Sequence, residues 1–369
     1  MNYVGTARPI HDAKGKATGY TKYAGDLSLP NMAYLCMLHS KIPHGYVKAV
    51  HAEKALALPG VYGVYHCLNT SDRKYNRYRS SFNQAYLANE ERAFNQYVRF
   101  VGDKIGVVAA CDQETAERAA RLVEVEYEEL PFSIGFDDTL AGKNCLEGET
   151  PVRDEYTLEV GKKQESTEGL IEVCSTMELP RLHHATMETH ACIADYDPYS
   201  DMLTVYCPNQ AVHGIRTVLA DFLEMPESHV RVVKATMGGS FGAKQEWFLE
   251  PVTALVAKKL CRPVKLVYSR GEAMTDTIVR GAMRMSARGY YTPDGEMKEI
   301  YCDVTLDAGA YIGNAGDYVR ALAGKPTRCY RIPYMHYHGQ VISSNSPVSG
   351  AFRSWSAAEE ALMMERQLD

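Results

Sequence analysis

The sequence has no C-x-x-C pair, no long apolar run and no basic block, and each absence excludes a class of protein. Its ten cysteines are scattered singly, which predicts buried free thiols and no disulfide frame, zinc site or iron-sulfur site in this chain. No apolar run approaches membrane-spanning length, and the N-terminus lacks the apolar core of a signal peptide. A net charge of -6 argues against a nucleic-acid partner. We therefore expect a cytoplasmic protein with no membrane or nucleic-acid partner.

The length and a polar stretch near the middle of the chain suggest two domains. A chain of 369 residues with 46% hydrophobic content can bury one large or two ordinary cores. Residues 137–154 are polar and rich in turn formers, so we place the boundary there, with domains at 1–145 and 154–369.

Several elements are predicted from local patterns. Lys104–Ala110 predicts a strand, and Asp112 is placed to cap the helix that follows it. Met202–Cys207 alternates as a strand and precedes a helix at 211–223. Residues 290–307 predict a hairpin that turns at 293–295.

Two glycine-containing loops hold the most informative residues, MGGSFGAKQ at 237–245 and SGAFRSW at 349–355. Glycine lets main-chain N–H groups approach a ligand closely, because no side chain stands in the way. The first loop follows a β-branched run at 229–235 and precedes a helix-like stretch at 249–260. It therefore lies at a strand-to-helix junction, where an anion is favoured. Together the loops predict a site for a flat, anionic cofactor.

Two common nucleotide-binding loops are excluded by the residues themselves. A P-loop needs glycine directly before its lysine and Ser or Thr after it, whereas Ala243 and Gln245 flank Lys244. A dinucleotide fingerprint needs G-x-G, which Gly238-Gly239-Ser240 does not supply.

The two loops resemble those of the molybdenum hydroxylase family, which includes the molybdopterin-binding subunits of xanthine dehydrogenase, aldehyde oxidoreductase and nicotinate dehydrogenase. Where the family reads roughly GGGFGGKE and AFRGFG, this chain has GGSFGAKQ and AFRSWS. The resemblance keeps its order along nearly the whole chain, from ATGYTKYAGDLSLP near the N-terminus onward. It implies an α+β fold: a hammerhead domain at 1–145, then the first part of the mixed α/β molybdopterin-binding domain at 154–369, with the C-terminal half absent.

The resemblance also assigns roles to individual residues. Gln210 stands where the family has a glutamine that hydrogen-bonds an oxygen ligand of molybdenum. The catalytic residues it implies are Gln210, Arg320 and Arg353. The cofactor-binding residues it implies are Gln210, Gly238, Gly239, Phe241, Gly242 and Arg353. The substrate pocket it implies consists of Gln245, Arg320 and Trp355. The resemblance also implies that the metal is held through molybdopterin, without a side-chain ligand.

A structural alternative stays open for five of these residues. Gln210 could be a strand-end amide that a turn satisfies, and Phe241 could be ordinary core. Arg353 and Trp355 could form a packing pair. Arg320 could belong to a surface salt bridge.

Two departures from the family pattern bear on the substrate. Gln245 stands at the position of the purine-binding glutamate and carries no charge. Ser354 stands where carbon monoxide dehydrogenases carry a copper-binding cysteine, which sets that branch aside. We expect an aromatic N-heterocycle, purine-like first and nicotinate-like second, ahead of a simple aldehyde. A guanidinium can stabilise negative charge on such a ring and can also hold a carboxylate.

The catalytic glutamate of the family lies in a second half that this chain does not contain. We expect a second molybdopterin-binding half-subunit to supply it, with iron-sulfur clusters and FAD on further partner subunits and a small-molecule substrate. The nucleotide form of the pterin is open, the cytosine dinucleotide being one option. Three alternatives remain: a truncated product, a non-catalytic structural partner of a molybdenum subunit, and an enzyme that uses another anionic cofactor.

One histidine cluster stands out, His183 and His184 with Glu188 and His190. Adjacent histidines on a strand point to opposite faces, so a structural role is favoured over a metal chelate.

Overall fold

The structure is a computed structural model that describes residues 3–78, 89–144, 146 and 148–369. The elements before the predicted boundary are, in chain order, α1 (Ala13–Ala17), β1 (Ala33–His39), β2 (Gly45–His51), α2 (Glu53–Leu56), β3 (Val61–His66), β4 (Lys74–Tyr75), β5 (Glu91–Arg92), β6 (Tyr97–Val98), β7 (Lys104–Ala110), α3 (Gln113–Ala120), β8 (Glu124–Glu129) and α4 (Phe136–Leu140).

The second region is longer and carries both glycine loops. Its elements are β9 (Val152–Gly161), β10 (Ile171–Leu179), β11 (Ala191–Asp197), β12 (Met202–Cys207), α5 (Val212–Phe222), β13 (Val230–Lys234), α6 (Glu250–Leu260), β14 (Val264–Val267), α7 (Arg270–Asp276), β15 (Ala282–Tyr291), β16 (Met297–Asp307), α8 (Ala315–Ala323), α9 (Pro326–Cys329), β17 (Tyr334–Ile342) and α10 (Ala357–Leu368).

A seven-stranded sheet of order β13-β12-β11-β14-β1-β7-β3 joins the two regions. The junction is the parallel pair of β1 and β14, in which Ala33 lies opposite Val264. One hydrophobic core includes Phe100 and Val107 from the first region and Cys192 and Trp247 from the second. Residues on both sides of the predicted boundary therefore bury their apolar side chains together.

Two other sheets complete the fold. The five-stranded sheet has the order β10-β15-β16-β17-β9, and a second core forms between it and α8 and α10. The three-stranded sheet has the order β6-β2-β8. These sheets and helices confirm the predicted mixed fold.

Local sequence patterns explain the central elements. All seven residues of β7 are buried, as expected for a continuous apolar run inside a sheet. Asp112 accepts a hydrogen bond from the Thr115 amide at 2.7 Å and so caps α3, as predicted. β15 and β16 form the predicted hairpin, in which Gly295 takes φ +89° at the turn.

A buried group of charges lies between the two regions. The Lys104 ammonium, fully buried, is 2.7 Å from the Glu91 carboxylate and 3.5 Å from that of Asp276. Arg77 donates from Nε to the second Glu91 oxygen at 2.5 Å. Charges this deeply buried are stable only when they are paired, so these contacts hold β5, β7 and α7 in one arrangement.

The prediction that the cysteines are buried is wrong for four of them. Every described cysteine is free, but Cys111, Cys174, Cys261 and Cys329 are exposed. Cys145 lies outside the described residues. No helix in the described ranges has the length and apolar character needed to cross a membrane.

Candidate functional site

The two glycine loops, more than a hundred residues apart in sequence, are in direct contact. A Cβ atom placed on Gly242 would lie 2.3 Å from the Ala351 carbonyl oxygen. Gly242 also takes φ +107°, where side chains are rarely tolerated. The contact between the loops therefore requires glycine at this position.

The first loop folds into a tight turn that leaves main-chain donors free. Gly239 and Phe241 take φ +99° and +55°, and the turn closes with a hydrogen bond from the Ala243 amide to the Ser240 carbonyl at 2.9 Å. The N–H groups of residues 239–242 donate to no acceptor among the described residues. Consecutive N–H groups in such a turn form an anion-binding concavity.

The helix that follows this loop does not contribute its N-terminus. α6 begins at Glu250, and the buried Glu250 carboxylate accepts a hydrogen bond from the Phe248 amide at 3.0 Å. The positive end of the helix thus already faces a carboxylate of the chain itself. The predicted anion site at the strand-to-helix junction is wrong in this detail, and the free donors lie in the loop.

Gln210 lies beside the loop, three residues after the end of β12. Its backbone N–H donates to the Lys244 carbonyl at 2.8 Å, and its side-chain oxygen accepts from the Ser240 hydroxyl at 2.5 Å. The residue is exposed. Because Ser240 occupies the amide oxygen, the amide N–H₂ group is the part of Gln210 that can donate to a ligand.

Glu188 joins the two ends of the first loop. One carboxylate oxygen accepts from the Gly238 amide at 2.7 Å and from the Lys244 ammonium at 2.5 Å. The Glu188 amide donates back to the Gly238 carbonyl at 3.1 Å. Burial lowers the pKa of Lys244, and the Glu188 charge opposes that shift. A buried lysine in a glycine loop needs such a counter-charge, which is the signal that could have identified Glu188.

The histidine cluster supports the two loops. His184 Nε2 lies 2.7 Å from the Ala351 carbonyl, and His190 Nε2 lies 2.9 Å from the Ala243 carbonyl. Burial lowers the pKa of each ring to about 4, so both are neutral and donate at neutral pH. No group of three potential metal ligands occurs in the part of the chain that the structure describes. The structural interpretation is therefore favoured.

The second loop has an unusual backbone. Ser354, Trp355 and Ser356 take φ +86°, +46° and +66° in succession. The Trp355 ring packs on Tyr318 at 5.2 Å between centroids, and the Lys325 ammonium contacts the Trp355 carbonyl and the Ser356 hydroxyl. Left-handed backbone at three non-glycine residues is costly and is typical of functional loops that their surroundings hold in place.

Arg353 and Phe241 bring one exposed side chain from each loop together. Phe241 is 50% exposed, so the core-packing alternative is wrong. The Arg353 guanidinium lies 5.9 Å from the centre of the Phe241 ring, within cation–π range. Arg353 is exposed as well, so the contact between the two side chains lies at the surface.

Arg320 does not join this group. Its two terminal nitrogens lie 2.6 and 3.1 Å from the two Asp154 carboxylate oxygens, and its guanidinium lies 5.3 Å from the centre of the Tyr156 ring. On α8, positions two apart face different directions, so Arg320 points away from the side on which Tyr318 meets Trp355. The predicted catalytic and substrate-pocket role of Arg320 is therefore not supported by its position, and the salt-bridge alternative describes it better.

Gln245 is half-buried at the end of the first loop, where its backbone N–H donates to the Gly242 carbonyl at 3.1 Å.

Two residues near the site, Ser240 and Arg280, were not predicted from the sequence. Ser240 contacts Gln210, and Arg280 contacts the second loop. Ser240 replaces a family glycine, and that replacement is a signal for it. No local pattern marks Arg280, because its partners lie far away in sequence.

Two family matches cover most of the chain. Residues 149–369 match the family described as molybdopterin cofactor-binding domain. Residues 18–131 match the family described as aldehyde oxidase and xanthine dehydrogenase, a/b hammerhead domain.

Curated relatives agree with these matches. The chain is 32% identical over 375 residues to a probable xanthine dehydrogenase subunit of Bacillus subtilis, covering 100% of this chain and 48% of that protein. It is 29% identical over 373 residues to the xanthine dehydrogenase molybdenum-binding subunit of Escherichia coli O157:H7, covering 97% and 48%. The large molybdopterin subunit of nicotinate dehydrogenase from Eubacterium barkeri is 29% identical over 362 residues, covering 97% and 83%. The chain thus spans about half the length of the two xanthine dehydrogenase subunits.

Solved structures show the same fold. Aldehyde oxidoreductase from Desulfovibrio gigas superposes with a TM-score of 0.90 at 23% identity, covering 97% of this chain and 40% of that one. Quinoline 2-oxidoreductase from Pseudomonas putida 86 superposes with a TM-score of 0.88 at 23% identity, covering 98% and 47%. The chain belongs to the molybdopterin-binding subunits of the molybdenum hydroxylase family.

Proposed function

We propose that this chain forms the half of a molybdenum hydroxylase active site that holds molybdopterin and contacts the substrate. The observation that carries the proposal is the row of free N–H donors at residues 239–242, placed beside the second loop by the Gly242 contact. We further propose that residues 1–145 and 154–369 are its hammerhead and molybdopterin-binding domains. Family matches at 18–131 and 149–369 support that division.

The residues present fit an anionic, oxygen-rich cofactor. Free main-chain donors at Gly239, Phe241 and Gly242 suit the anionic groups of the cofactor. Gly238 lets the loop lie close to Glu188, because a Cβ atom added to Gly238 would lie 2.5 Å from the Glu188 Cβ. Gln210, oriented by Ser240, offers an amide N–H₂ donor. No protein ligand to the metal is needed in this arrangement.

When bound, the cofactor supplies two-electron redox chemistry, and the chain supplies orientation and charge. Gln210 would donate to an oxygen of the bound group, and the exposed Arg353 guanidinium would stabilise negative charge on the substrate. In this proposal Phe241 and Trp355 would border the site with apolar surface. Gln245 offers one donor and one acceptor to a polar substrate edge.

We propose an aromatic N-heterocycle as the substrate, purine-like or nicotinate-like. Relatives named xanthine dehydrogenase and nicotinate dehydrogenase support this class. Arg353 and Gln245 support it chemically, since both offer hydrogen bonds that a simple apolar aldehyde does not use. Aldehyde oxidation is the second candidate, favoured by the match to a hammerhead family named for aldehyde oxidase.

The site requires further chains in this proposal. Phe241 is 50% exposed and Met187, next to Glu188, is 94% exposed, so both apolar side chains are available for contact with another chain. We propose that a second molybdopterin-binding half-subunit covers them and contributes the catalytic base. Iron-sulfur and FAD subunits would carry the electrons onward, and the cytosine dinucleotide remains one option for the pterin.

Metal and pterin analysis of the purified complex tests the proposal directly. We expect about one molybdenum and one pterin for each copy of this chain. Gln210→Ala should retain much of the molybdenum, because several main-chain donors remain, while turnover falls by roughly 100- to 1000-fold. A purine, nicotinate and an aromatic aldehyde should be compared as substrates.

Gln340→Ala is the matched control, because Gln340 donates to Thr305 in the five-stranded sheet, away from both loops. Its turnover should equal that of the wild-type complex. A complex that contains no molybdenum, or a Gln210→Ala complex with full turnover, would contradict the proposed site.

A further inference from the structure

Arg280, to which the sequence assigns no role, lies beside the second loop just before β15. Its backbone exchanges hydrogen bonds with Leu182 at 2.9 and 3.2 Å. The preceding residue, Val279, donates to the Val348 carbonyl at 3.0 Å and accepts from the Gly350 amide at 2.9 Å. The Arg280 main chain is therefore fixed relative to the beginning of the second loop.

The Arg280 side chain reaches the middle of that loop. Its terminal nitrogen donates to the Arg353 carbonyl at 2.9 Å, and its guanidinium carbon lies 4.2 Å from the centre of the Phe352 ring. The His184 ring stacks on the same Phe352 ring at 4.3 Å. The backbone of Arg353 is thus held while its own side chain remains exposed.

A buried carboxylate completes the arrangement. Glu359, in the first turn of α10, is 1% exposed, and its oxygen lies 3.0 Å from Arg280 Nε. A carboxylate this deeply buried needs a positive partner. Because α10 follows the second loop directly, the pair of Arg280 and Glu359 fixes the position of this loop relative to α10.

We propose that the Arg280–Glu359 pair positions Arg353 for its contact with the substrate, an inference that rests on the proposed function. Arg280 is a positioning residue, since its guanidinium contacts the Arg353 backbone and the Phe352 ring and leaves the Arg353 guanidinium free. The pair also constrains Ser354 and Trp355, whose left-handed backbone needs surrounding contacts to persist.

The geometry requires arginine at position 280. One planar group makes three contacts: an ion pair of Nε with Glu359 at 3.0 Å that is not aligned as a hydrogen bond, a hydrogen bond from a terminal nitrogen to the Arg353 carbonyl, and packing of the group on the Phe352 ring. A lysine ammonium would keep the charge beside Glu359 but could not make the other two contacts at the same time. Arg280→Lys therefore separates positioning of the loop from burial of a lone charge.

The test uses the full chain labelled with 5-fluorotryptophan and observed by fluorine NMR. The chain has two tryptophans: Trp355 in the loop and Trp247, 2% exposed, in the core. We expect Arg280→Lys and Glu359→Gln to shift or broaden the Trp355 signal and to leave the Trp247 signal unchanged. Arg280→Lys should also keep a melting temperature close to that of the wild type.

Arg284→Lys is the matched control. Arg284 lies on β15, pairs with Asp137 and Glu178 and contacts the Phe136 ring at 4.9 Å, away from the loop. It should change neither tryptophan signal. In the molybdenum-loaded complex, Arg280→Lys should lower turnover by roughly 10- to 100-fold at unchanged molybdenum content, whereas Arg284→Lys should not.

Two outcomes would overturn the inference: an unchanged Trp355 signal in Arg280→Lys, or the same change of that signal in Arg284→Lys. Full turnover of a molybdenum-loaded Arg280→Lys complex would overturn it as well. The NMR measurement needs no cofactor, so it still decides whether the pair holds the loop if the purified complex contains no molybdenum. Failure of the proposed function and failure of this inference are therefore distinguishable.

Discussion

Arg320 and Arg353 differ in what holds their guanidinium groups. Arg320 forms a two-point contact with Asp154, whose side chain is 12% exposed, whereas the exposed Arg353 faces the Phe241 ring. We expect Arg320→Met to lower the free energy of unfolding by about 1–3 kcal/mol, because the Asp154 carboxylate loses this two-point contact. Its effect on the turnover of a loaded complex should be small once the protein is folded.

Arg353→Met is the comparison variant for this prediction. Its melting temperature should stay near that of the wild type, since its exposed side chain packs on Phe241 at the surface, while turnover of the heterocycle should fall much more. Thermal unfolding and steady-state kinetics of both variants check the expectation. A large loss of turnover in folded Arg320→Met would return Arg320 to the substrate pocket.

His190 is a residue whose burial links stability to pH. Its folded pKa is about 4, below the ordinary 6.5, because burial disfavours the charged ring. As the pH falls from 6.5 to 4, His190 is therefore protonated in the unfolded chain but stays neutral in the folded protein. The contribution of His190 to stability is complete above pH 6.5 and decreases by about 3 kcal/mol across that window.

His190→Gln keeps a donor toward the Ala243 carbonyl but cannot titrate. We expect the wild type to lose more unfolding free energy than this variant between pH 6.5 and 4, as measured by urea denaturation at several pH values. His51→Gln is the control, because the hydrogen bond with Glu126 raises the pKa of exposed His51. The stability that His51 contributes relative to His51→Gln should be greater at low pH and should decrease as the pH rises, which is opposite to the change expected for His190.

At the scale of elements, the contact between the two glycine loops is the most sensitive point. Gly242→Ala would place a Cβ 2.3 Å from the Ala351 carbonyl and also strain φ +107°. Gly295→Ala strains a similar φ of +89° in the β15–β16 turn but meets no atom within 4 Å. We expect both to cost about 1 kcal/mol for backbone strain, and only Gly242→Ala to separate the loops and lose molybdenum.

Molybdenum content and melting temperature of the two alanine variants measure this difference. Equal molybdenum retention by both would mean that the contact between the loops is not needed for the cofactor.

Elements with local signals were predictable, and contacts between distant elements were not. β12 has the predicted bounds Met202–Cys207, and α5 lies within the predicted helix, because alternation and helical periodicity are local properties. The pairing of β1 with β14 leaves no comparable pattern. In the site, Gln210 and Phe241 were identified through the family resemblance. The contact of Arg320 on α8 with Asp154 on β9 could not be predicted, because the two residues are far apart along the chain.

At the scale of the whole molecule, the buried charges between the two regions make the protein sensitive to the loss of any one of them. Lys104→Met would leave Glu91 and Asp276 with one fewer positive partner inside the protein. We expect a loss of about 3–5 kcal/mol in unfolding free energy, the usual cost of breaking a buried pair. Urea denaturation followed by circular dichroism measures it.

Lys48→Met is the control at this scale, because Lys48 forms an ion pair with Glu128 while its side chain is 57% exposed. It should change stability by about 0–1 kcal/mol. A loss of similar size in both variants would mean that the buried charges contribute no more than a surface pair.

The parallel pairing of β1 with β14 also has a consequence during synthesis. The strand that contains Ala33 cannot pair with β14 until Val264 has been synthesised, roughly 230 residues later. At ordinary elongation rates of about 5–20 residues per second, that wait lasts roughly 10–50 s. Throughout it, one edge of the early strands remains open to pairing with other chains. Ribosome-bound chaperones would therefore influence the yield of this protein more than that of a protein whose N-terminal domain closes by itself.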